Sequence, residues 1–230
     1  MNATGDSVDS VSLLAMTHPL PIVYIVDDDI SVREALEQWI RQAGWESQTF
    51  TSAQNFLDSP RIPVPSCLVL DFSLPGLNGL EVQKRAAVER PEMPIIFITG
   101  HGDIPISVQA MKGGAVEFFT KPVAEEVLLA AVRNAIERSQ NLLGRETERR
   151  ILQSRYTSLT SRERQVMAMV VSGLLNKQVA GELKISEITV KAHRRRAMRK
   201  MKAGSFADLV RMAARLRIQR SLGTKASIPE

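Results

Sequence analysis

The sequence predicts a doubly wound α/β domain with a five-stranded parallel sheet, followed by a small all-α domain of four helices. Short apolar runs alternate with helical patterns up to residue 138, whereas only helical patterns follow it. The charge also changes sign along the chain. Residues 1–123 hold 8 Lys and Arg against 15 Asp and Glu, and residues 124–230 hold 22 against 10. A basic second part favours a polyanionic partner such as nucleic acid, with a merely solvated basic surface as the alternative.

The first part shows five strand signals, and each is followed by a helical pattern. This alternation is typical of a parallel sheet covered by helices on both faces. The predicted strands are Ile22–Val26, a weaker one near Ser47–Phe50, Cys67–Leu70, Ile95–Thr99 and Val116–Thr120. The predicted helices are Ser31–Ala43, Ala53–Leu57, Leu80–Glu89, Ile104–Met111 and Glu125–Arg138. In such sheets, functional residues collect at the carboxyl ends of the strands.

Capping signals divide the second part into four helices. Thr160 and Glu163 have the spacing of a capping box, and Gly173 stands where the helix that they begin is expected to end. The remaining helix signals are Lys177–Leu183, Glu187–Met201 with Ser186 as its cap, and a last helix that begins at Ser205 and Asp208. A helix, a tight turn and a second helix form a common DNA-binding arrangement.

These patterns also give the predicted boundaries and location. We expect a disordered tail over 1–21, the α/β domain over 22–138, a largely helical linker over 139–156 that is interrupted near Gly144, the all-α domain over 157–218 and a flexible tail over 219–230. The first tail lacks the basic start of a signal peptide, and no apolar run has the length of a membrane span. The single cysteine, Cys67, excludes an internal disulfide and fits a reducing cytoplasm as a packed core thiol.

Polar residues follow the predicted strands at the points where these strands end. Asp27–Asp29 follow the first strand, Asp71 the third and Lys121 the fifth, and Thr99 ends the fourth. These ends meet at one edge of a parallel sheet, where packed carboxylates repel each other unless a cation intervenes. An all-oxygen cluster suits Mg²⁺. A carboxylate can then accept a phosphoryl group, whose oxygens Lys121 and Thr99 can bind.

Residues 22–138 resemble a receiver domain of two-component signalling, which has a flavodoxin-like fold. The resemblance rests on the strand-end residues, on Leu-Val-Leu-Asp-Phe-Ser-Leu-Pro-Gly around Asp71, and on Thr99-Gly-His-Gly-Asp-Ile-Pro, which is similar to the FixJ-like subgroup. The resemblance implies that Asp71 is the phosphoacceptor and that Mg²⁺ is bound by Asp27, Asp28, Asp71 and the carbonyl of Ser73. It also implies that Thr99 and Phe118 are switch residues and that Lys121 contacts the phosphoryl group. The bond between Lys121 and Pro122 is cis in the family. Asp29 reads as a helix cap, and Asn78, where the family often has Asp, is expected to matter little for the metal.

Basic residues line one face of the predicted helix Glu187–Met201. Lys191, Arg195 and Arg199 lie four residues apart, with Lys200 and Lys202 extending the charge. The inward face is expected to carry Val190, His193, Ala197 and Met201. A helix fits the DNA major groove, where basic side chains can reach guanine edges and phosphates.

Residues 156–217 resemble the LuxR-type four-helix DNA-binding domain. The residues that carry the resemblance are Leu159-Thr160, Arg162-Glu163, Gly173, Asn176-Lys177, Ala180, Leu183, Ser186 and Thr189-Val190-Lys191 with His193. The resemblance implies that Lys191, Ala192 and Arg195 face the bases, whereas Lys177 and Thr189 contact phosphates, and Arg199 belongs to the same DNA-binding face. His193 reads as a packed or phosphate-contacting residue.

Together the two resemblances imply a transcription factor that accepts and slowly loses a phosphoryl group and is not an enzyme. Because the family mostly activates, we expect this protein to be an activator. The implied partners are a histidine kinase, double-stranded promoter DNA, RNA polymerase and a second copy, which docks through Ile104–Met111 and Val116–Phe119 after phosphorylation. A phosphatase with an aspartyl nucleophile is disfavoured, because Ser73 stands where that class needs a second Asp. A receiver that regulates by protein contacts without phosphate is the other alternative.

Overall fold

The structure is a computed structural model that describes residues 20–100 and 104–218. The chain forms two compact units, Met1–Leu143 and Gly144–Glu230. The predicted tail 219–230 and all but the last two residues of the predicted tail 1–21 lie outside the described residues. None of the described helices is long and apolar enough to cross a membrane.

The first unit contains a five-stranded parallel sheet in the order β2-β1-β3-β4-β5, which confirms the predicted doubly wound fold. Its strands are β1 Ile22–Val26, β2 Glu46–Phe50, β3 Ser66–Asp71, β4 Ile95–Thr99 and β5 Glu117–Thr120. Its helices are α1 Ile30–Gln42, α2 Ala53–Leu57, α3 Gly79–Glu89, α4 Ile104–Lys112 and the first part of α5, Glu125–Thr157.

The sheet is buried on both faces because each central strand sends alternate side chains to two cores. In β1, Tyr24 and Val26 join the core under α2, α3 and α4, whereas Val23 and Ile25 join the core under α1 and α5. Cys67 is buried in β3, and this burial raises the pKa of its thiol, as expected for a packed core cysteine. The strands therefore hold their carboxyl ends at fixed positions along one edge.

Up to residue 218, the second unit contains four helices after the end of α5, as predicted: α6 Ser161–Val171, α7 Asn176–Leu183, α8 Glu187–Met201 and α9 Phe206–Arg215. The capping predictions are confirmed. Thr160 and Glu163 form a capping box at α6, and Ser186 and Ser205 cap α8 and α9. Lys184 has a left-handed backbone (φ 51°) between α7 and α8, which allows the tight turn between these helices.

The predicted interruption near Gly144 is wrong, because α5 is a continuous helix of 33 residues. Ser139 lies buried against the sheet, where its hydroxyl accepts a hydrogen bond from the Ser66 N–H (3.0 Å), and Leu152 lies buried in the core of the second unit. Between them, Glu146 accepts hydrogen bonds from Arg149 and Arg150, which hold the pKa of Glu146 down to about 2. Packing at both ends and these pairs outweigh the poor helix propensity of one glycine.

Candidate functional site

The acidic residues of the first unit meet at the carboxyl edge of the sheet. Val26 of β1 pairs with Leu70 of β3, so Asp27 and Asp71 come next to each other on adjacent strands. Carboxylate oxygens of Asp27, Asp28 and Asp71 all lie within 4.8 Å of one another. Asp27 and Asp71 are buried, with 1% and 6% of their surface exposed, whereas Asp28 is exposed.

Lys121 connects the two buried carboxylates. Its Nζ donates hydrogen bonds to Asp27 Oδ2 (2.7 Å) and Asp71 Oδ2 (3.1 Å). Its backbone N–H donates to the Thr99 carbonyl (2.7 Å), which fixes the end of β5 beside β4. The bond between Lys121 and Pro122 is cis, as the resemblance to receivers implied. The cation thus lies where strand ends β1, β3 and β5 come together.

Backbone N–H groups bind the other carboxylate oxygen of Asp27 and of Asp71. The Asp29 N–H donates to Asp27 Oδ1 (3.0 Å), and the Ser73 N–H donates to Asp71 Oδ1 (3.1 Å). Asp29 itself accepts from the first N–H groups of α1, which confirms it as a helix cap. Asp27 and Asp71 are therefore held in orientation by local contacts on one oxygen and by Lys121 on the other.

Burial and charge act in opposite directions on this cluster. Burial raises the pKa of Asp27, and hydrogen bonds from Lys121 and from the Asp29 N–H only partly oppose this rise. Burial tends to lower the pKa of Lys121, but its bonds to Asp27 and Asp71 outweigh burial and raise it. Lys121 therefore stays charged. Three carboxylates facing a single ammonium group leave excess negative charge, and hard oxygen donors at this spacing fit Mg²⁺.

The predicted switch residues lie on β4, which pairs with β3, and on β5, which pairs with β4. Thr99 is fully buried at the end of β4 and pairs in register with Thr120 of β5. Phe118 of β5 is half-buried, and its ring lies 6.0 Å from that of Phe97. Thr99 thus lies at the sheet edge that carries the acidic pocket, and Phe118 packs on the core that includes Ala110 of α4.

The exposed face of α8 carries the predicted DNA-binding side chains. Val190, Ala197 and Met201 are buried on the opposite face, as predicted, and they hold α8 against the rest of the second unit. The exposed residues of the predicted set are Lys191, Ala192, Arg195 and Arg199 on α8 and Lys177 at the start of α7. Thr189 is half-buried and shares a hydrogen bond with the Ser186 hydroxyl (2.9 Å).

Lys200 does not extend the basic face as predicted. Its Nζ donates to Glu163 Oε2 (2.7 Å) and to the Ser158 carbonyl (3.2 Å), so it ties α8 to the start of α6. Arg194 also lies off the exposed face, with its guanidinium 4.4 Å from the centre of the Phe206 ring. Charge along a sequence does not distinguish these packed cations from those that point into solvent.

Two family models match the chain. Residues 23–133 match the response regulator receiver domain, and residues 157–213 match the bacterial regulatory proteins of the luxR family. Nodulation protein W of Bradyrhizobium diazoefficiens is 50% identical over 199 residues, which cover 86% of this chain and 87% of that protein. The chain belongs to the response regulator family.

Other relatives of this response regulator match it over most of both chains. The transcriptional regulatory protein FixJ of B. diazoefficiens is 39% identical over 193 residues, which cover 84% of this chain and 94% of FixJ. The solved structure of the response regulator StyR is 45% identical, has a TM-score of 0.75, and matches 85% of this chain and 98% of that one. The regulator is therefore a transcription regulator, and its two domains imply a histidine kinase and DNA as partners.

One contact at the acidic pocket of the regulator was missed in the sequence. Arg33 of α1 donates from Nη1 to the carbonyl of Asp27 (2.6 Å), which fixes the backbone of the acidic pair. A cation in the first turn of a helix is unfavourable for the helix dipole, so its charge alone gave no reason to select it. His193 faces inward as expected, and its Nδ1 is buried without a hydrogen-bond partner among the described residues.

Proposed function

We propose that this response regulator activates transcription when Asp71 is phosphorylated by a histidine kinase. The observation that carries the proposal is the position of Lys121, whose ammonium group lies within hydrogen-bond distance of both Asp27 and Asp71. An ammonium group at this point can neutralise a phosphoryl group bound to Asp71. The exposed basic face of α8 on the same chain gives the phosphorylation a DNA-binding output.

The chemistry at Asp71 is nucleophilic. A carboxylate oxygen of Asp71 attacks phosphorus, an O–P bond forms, and the N–P bond to the kinase histidine breaks. The released ring nitrogen keeps the electron pair of the N–P bond, and a proton on the other ring nitrogen makes the leaving imidazole neutral. Lys121 and Thr99 bind oxygens of the transferred group. Asp27, Asp28, Asp71 and the carbonyl of Ser73 would hold Mg²⁺, which supplies charge neutralisation for the phosphoryl oxygens when it is bound.

The proposed switch runs through Thr99 and Phe118 to the surface of α4 and β5. A phosphoryl group on Asp71 draws the Thr99 hydroxyl inward, and Phe118 rotates into the space that this movement opens. The half-buried ring of Phe118 supports this step, because a half-buried side chain can move without opening the core. The rearranged surface of Ile104–Met111 and Val116–Phe119 then binds a second copy.

The proposed output is dimeric binding to double-stranded promoter DNA in the cytoplasm, followed by contact with RNA polymerase. Lys191, Ala192 and Arg195 read bases, and Lys177 and Thr189 contact phosphates, with Arg199 at the end of the same face. The exposure of the first three side chains supports this assignment. A dimer carries two α8 helices, which fit two half-sites related by a twofold axis.

Phosphorylation of Asp71 can be tested with acetyl phosphate and Mg²⁺. Intact-protein mass spectrometry should detect one phosphoryl adduct on the wild type and none on Asp71→Asn, because the amide lacks the nucleophilic oxygen. Asp29→Asn is the matched control, since Asn also caps a helix and the Asp29 carboxylate accepts hydrogen bonds from the first turn of α1. It should be labelled like the wild type, and removal of Mg²⁺ by a chelator should abolish labelling in both. Equal labelling of Asp71→Asn would contradict the assignment.

A further inference from the structure

Ile188 is a large apolar side chain that the packing of α8 leaves in solvent. It is 80% exposed in the first turn of the helix, whereas Val190, two residues later, is fully buried. Single exposed apolar residues are common, so exposure alone carries no function. The position of Ile188 on the helix is what requires an explanation.

Ile188 lies on the same face of α8 as the proposed base-reading residues. Residues four, seven and eleven positions apart share one face of an α-helix, which aligns Ile188 with Ala192, Arg195 and Arg199. All four are exposed. Ile188 and Ala192 therefore form an apolar strip at the N-terminal end of this face, and Arg195 and Arg199 provide cations at the other end.

The first turn of α8 holds Ile188 in a fixed place. The Ser186 hydroxyl accepts a hydrogen bond from the Thr189 N–H (3.1 Å), and burial of Val190 anchors the helix two residues beyond Ile188. A β-branched side chain has one strongly preferred rotamer in a helix, so little side-chain entropy is lost when it becomes buried. Ile188 is thus a rigid apolar group on a basic face that is directed at DNA.

We infer that Ile188 is a specificity-determining residue that reads a thymine through its C5 methyl group. The inference rests on the proposed binding of α8 in the major groove. Thymine is the base that presents a methyl group there, and apolar side chains recognise it by contact. Because Ile188 lies one turn before Ala192, its thymine lies at the end of the half-site that the N-terminus of α8 approaches.

The test begins with full-length wild-type protein, phosphorylated with acetyl phosphate, and a random DNA library. Selection gives the preferred sites of the wild type, of Ile188→Ala and of Ile151→Ala. Ile151 is the matched control because it is an exposed isoleucine of the same unit that lies on α5. Ile188→Ala should lose the preference for thymine at one position only, and Ile151→Ala should select the wild-type sequence.

The decisive measurement replaces that thymine with deoxyuridine, which removes only the C5 methyl group. Wild-type affinity should fall about fourfold, as expected for one buried methyl group. Ile188→Ala should bind the two DNAs equally. Equal binding of both DNAs by the wild type, or an undiminished response of Ile188→Ala, would overturn the inference while leaving the proposed function intact. Failure of the wild type to select any sequence would instead overturn the proposed function, and the inference with it.

Discussion

Lys177 and Arg195 are both exposed cations of the second unit, but they lie on different helices. Lys177 is in the first turn of α7, whereas Arg195 is at the centre of the exposed face of α8. A guanidinium group can donate two parallel hydrogen bonds to the edge of a guanine, and an ammonium group at a helix start serves as a point charge for a phosphate. The two residues should therefore contribute to DNA binding in different ways.

We predict that Arg195→Ala relaxes base preference at one position and weakens specific binding by roughly 1–3 kcal/mol. Lys177→Ala should weaken binding to all sequences about equally and flatten the dependence of log K on log salt by about one unit. Site selection and salt titrations on both variants check this. A wild-type base-preference profile for Arg195→Ala would refute its proposed role.

Helix α6 depends on an ion pair that was not expected from the sequence. Glu163 is buried, and its carboxylate accepts hydrogen bonds from Lys200 and from the Thr160 N–H. Burial tends to raise the pKa of Glu163, but these partners outweigh burial and lower it. The ion pair therefore joins α6 to α8, the helix that presents the proposed DNA-binding face.

The pKa of Glu163 is lower in the folded state than in the unfolded state, where it is about 4.5. The ionised carboxylate therefore stabilises the fold fully at pH values above about 4.5, and this stabilisation is lost as the pH falls through the pKa of the folded state. We predict that Glu163→Gln destabilises the second unit by roughly 1–3 kcal/mol at neutral pH, because Lys200 loses its charged acceptor. The difference from the wild type should shrink as the pH falls below about 4.5.

These effects can be measured by urea unfolding of a fragment that begins at Gly144, with circular dichroism as the probe of unfolding at several pH values. Glu187→Gln is the control, since Glu187 is an exposed acid in the first turn of α8. Like Glu163, Glu187 is in the first turn of a helix, where a negative charge interacts favourably with the helix dipole, but its side chain lies in solvent. A loss of stability for Glu163→Gln that is no larger than for Glu187→Gln would contradict the role of the ion pair.

The elements show which features a sequence can predict. β1, β3 and β4 are buried on both faces and appear as continuous apolar runs, so they were located to within a residue. β2 gave a weak signal because it is an edge strand whose side chains are exposed or half-buried. The acidic pocket was predictable because the strand ends of a parallel sheet converge. The continuity of α5 past Gly144 could not be predicted, because it depends on contacts with residues that are far away in the sequence.

At the scale of the whole molecule, the proposed function requires that phosphorylation change the association of two chains. A phosphoryl group shifts an equilibrium between two states only by the difference in its interactions with them. Thr99 can supply that difference, because it is buried at the end of β4, and the neighbouring strand β5 carries Phe118 and part of the proposed docking surface. Loss of the hydroxyl should leave the chemistry at Asp71 possible and weaken the switch.

We predict that beryllofluoride, a mimic of the phosphoryl group, shifts the wild type toward a dimer and shifts Thr99→Ala much less. Light scattering over a range of protein concentrations measures the shift. Thr99→Ser retains the hydroxyl and should respond like the wild type, which separates loss of the hydrogen bond from loss of packing by the methyl group. If all three proteins dimerise equally with and without beryllofluoride, the signal does not pass through Thr99 to a second receiver. Control of DNA binding would then have to act within one chain.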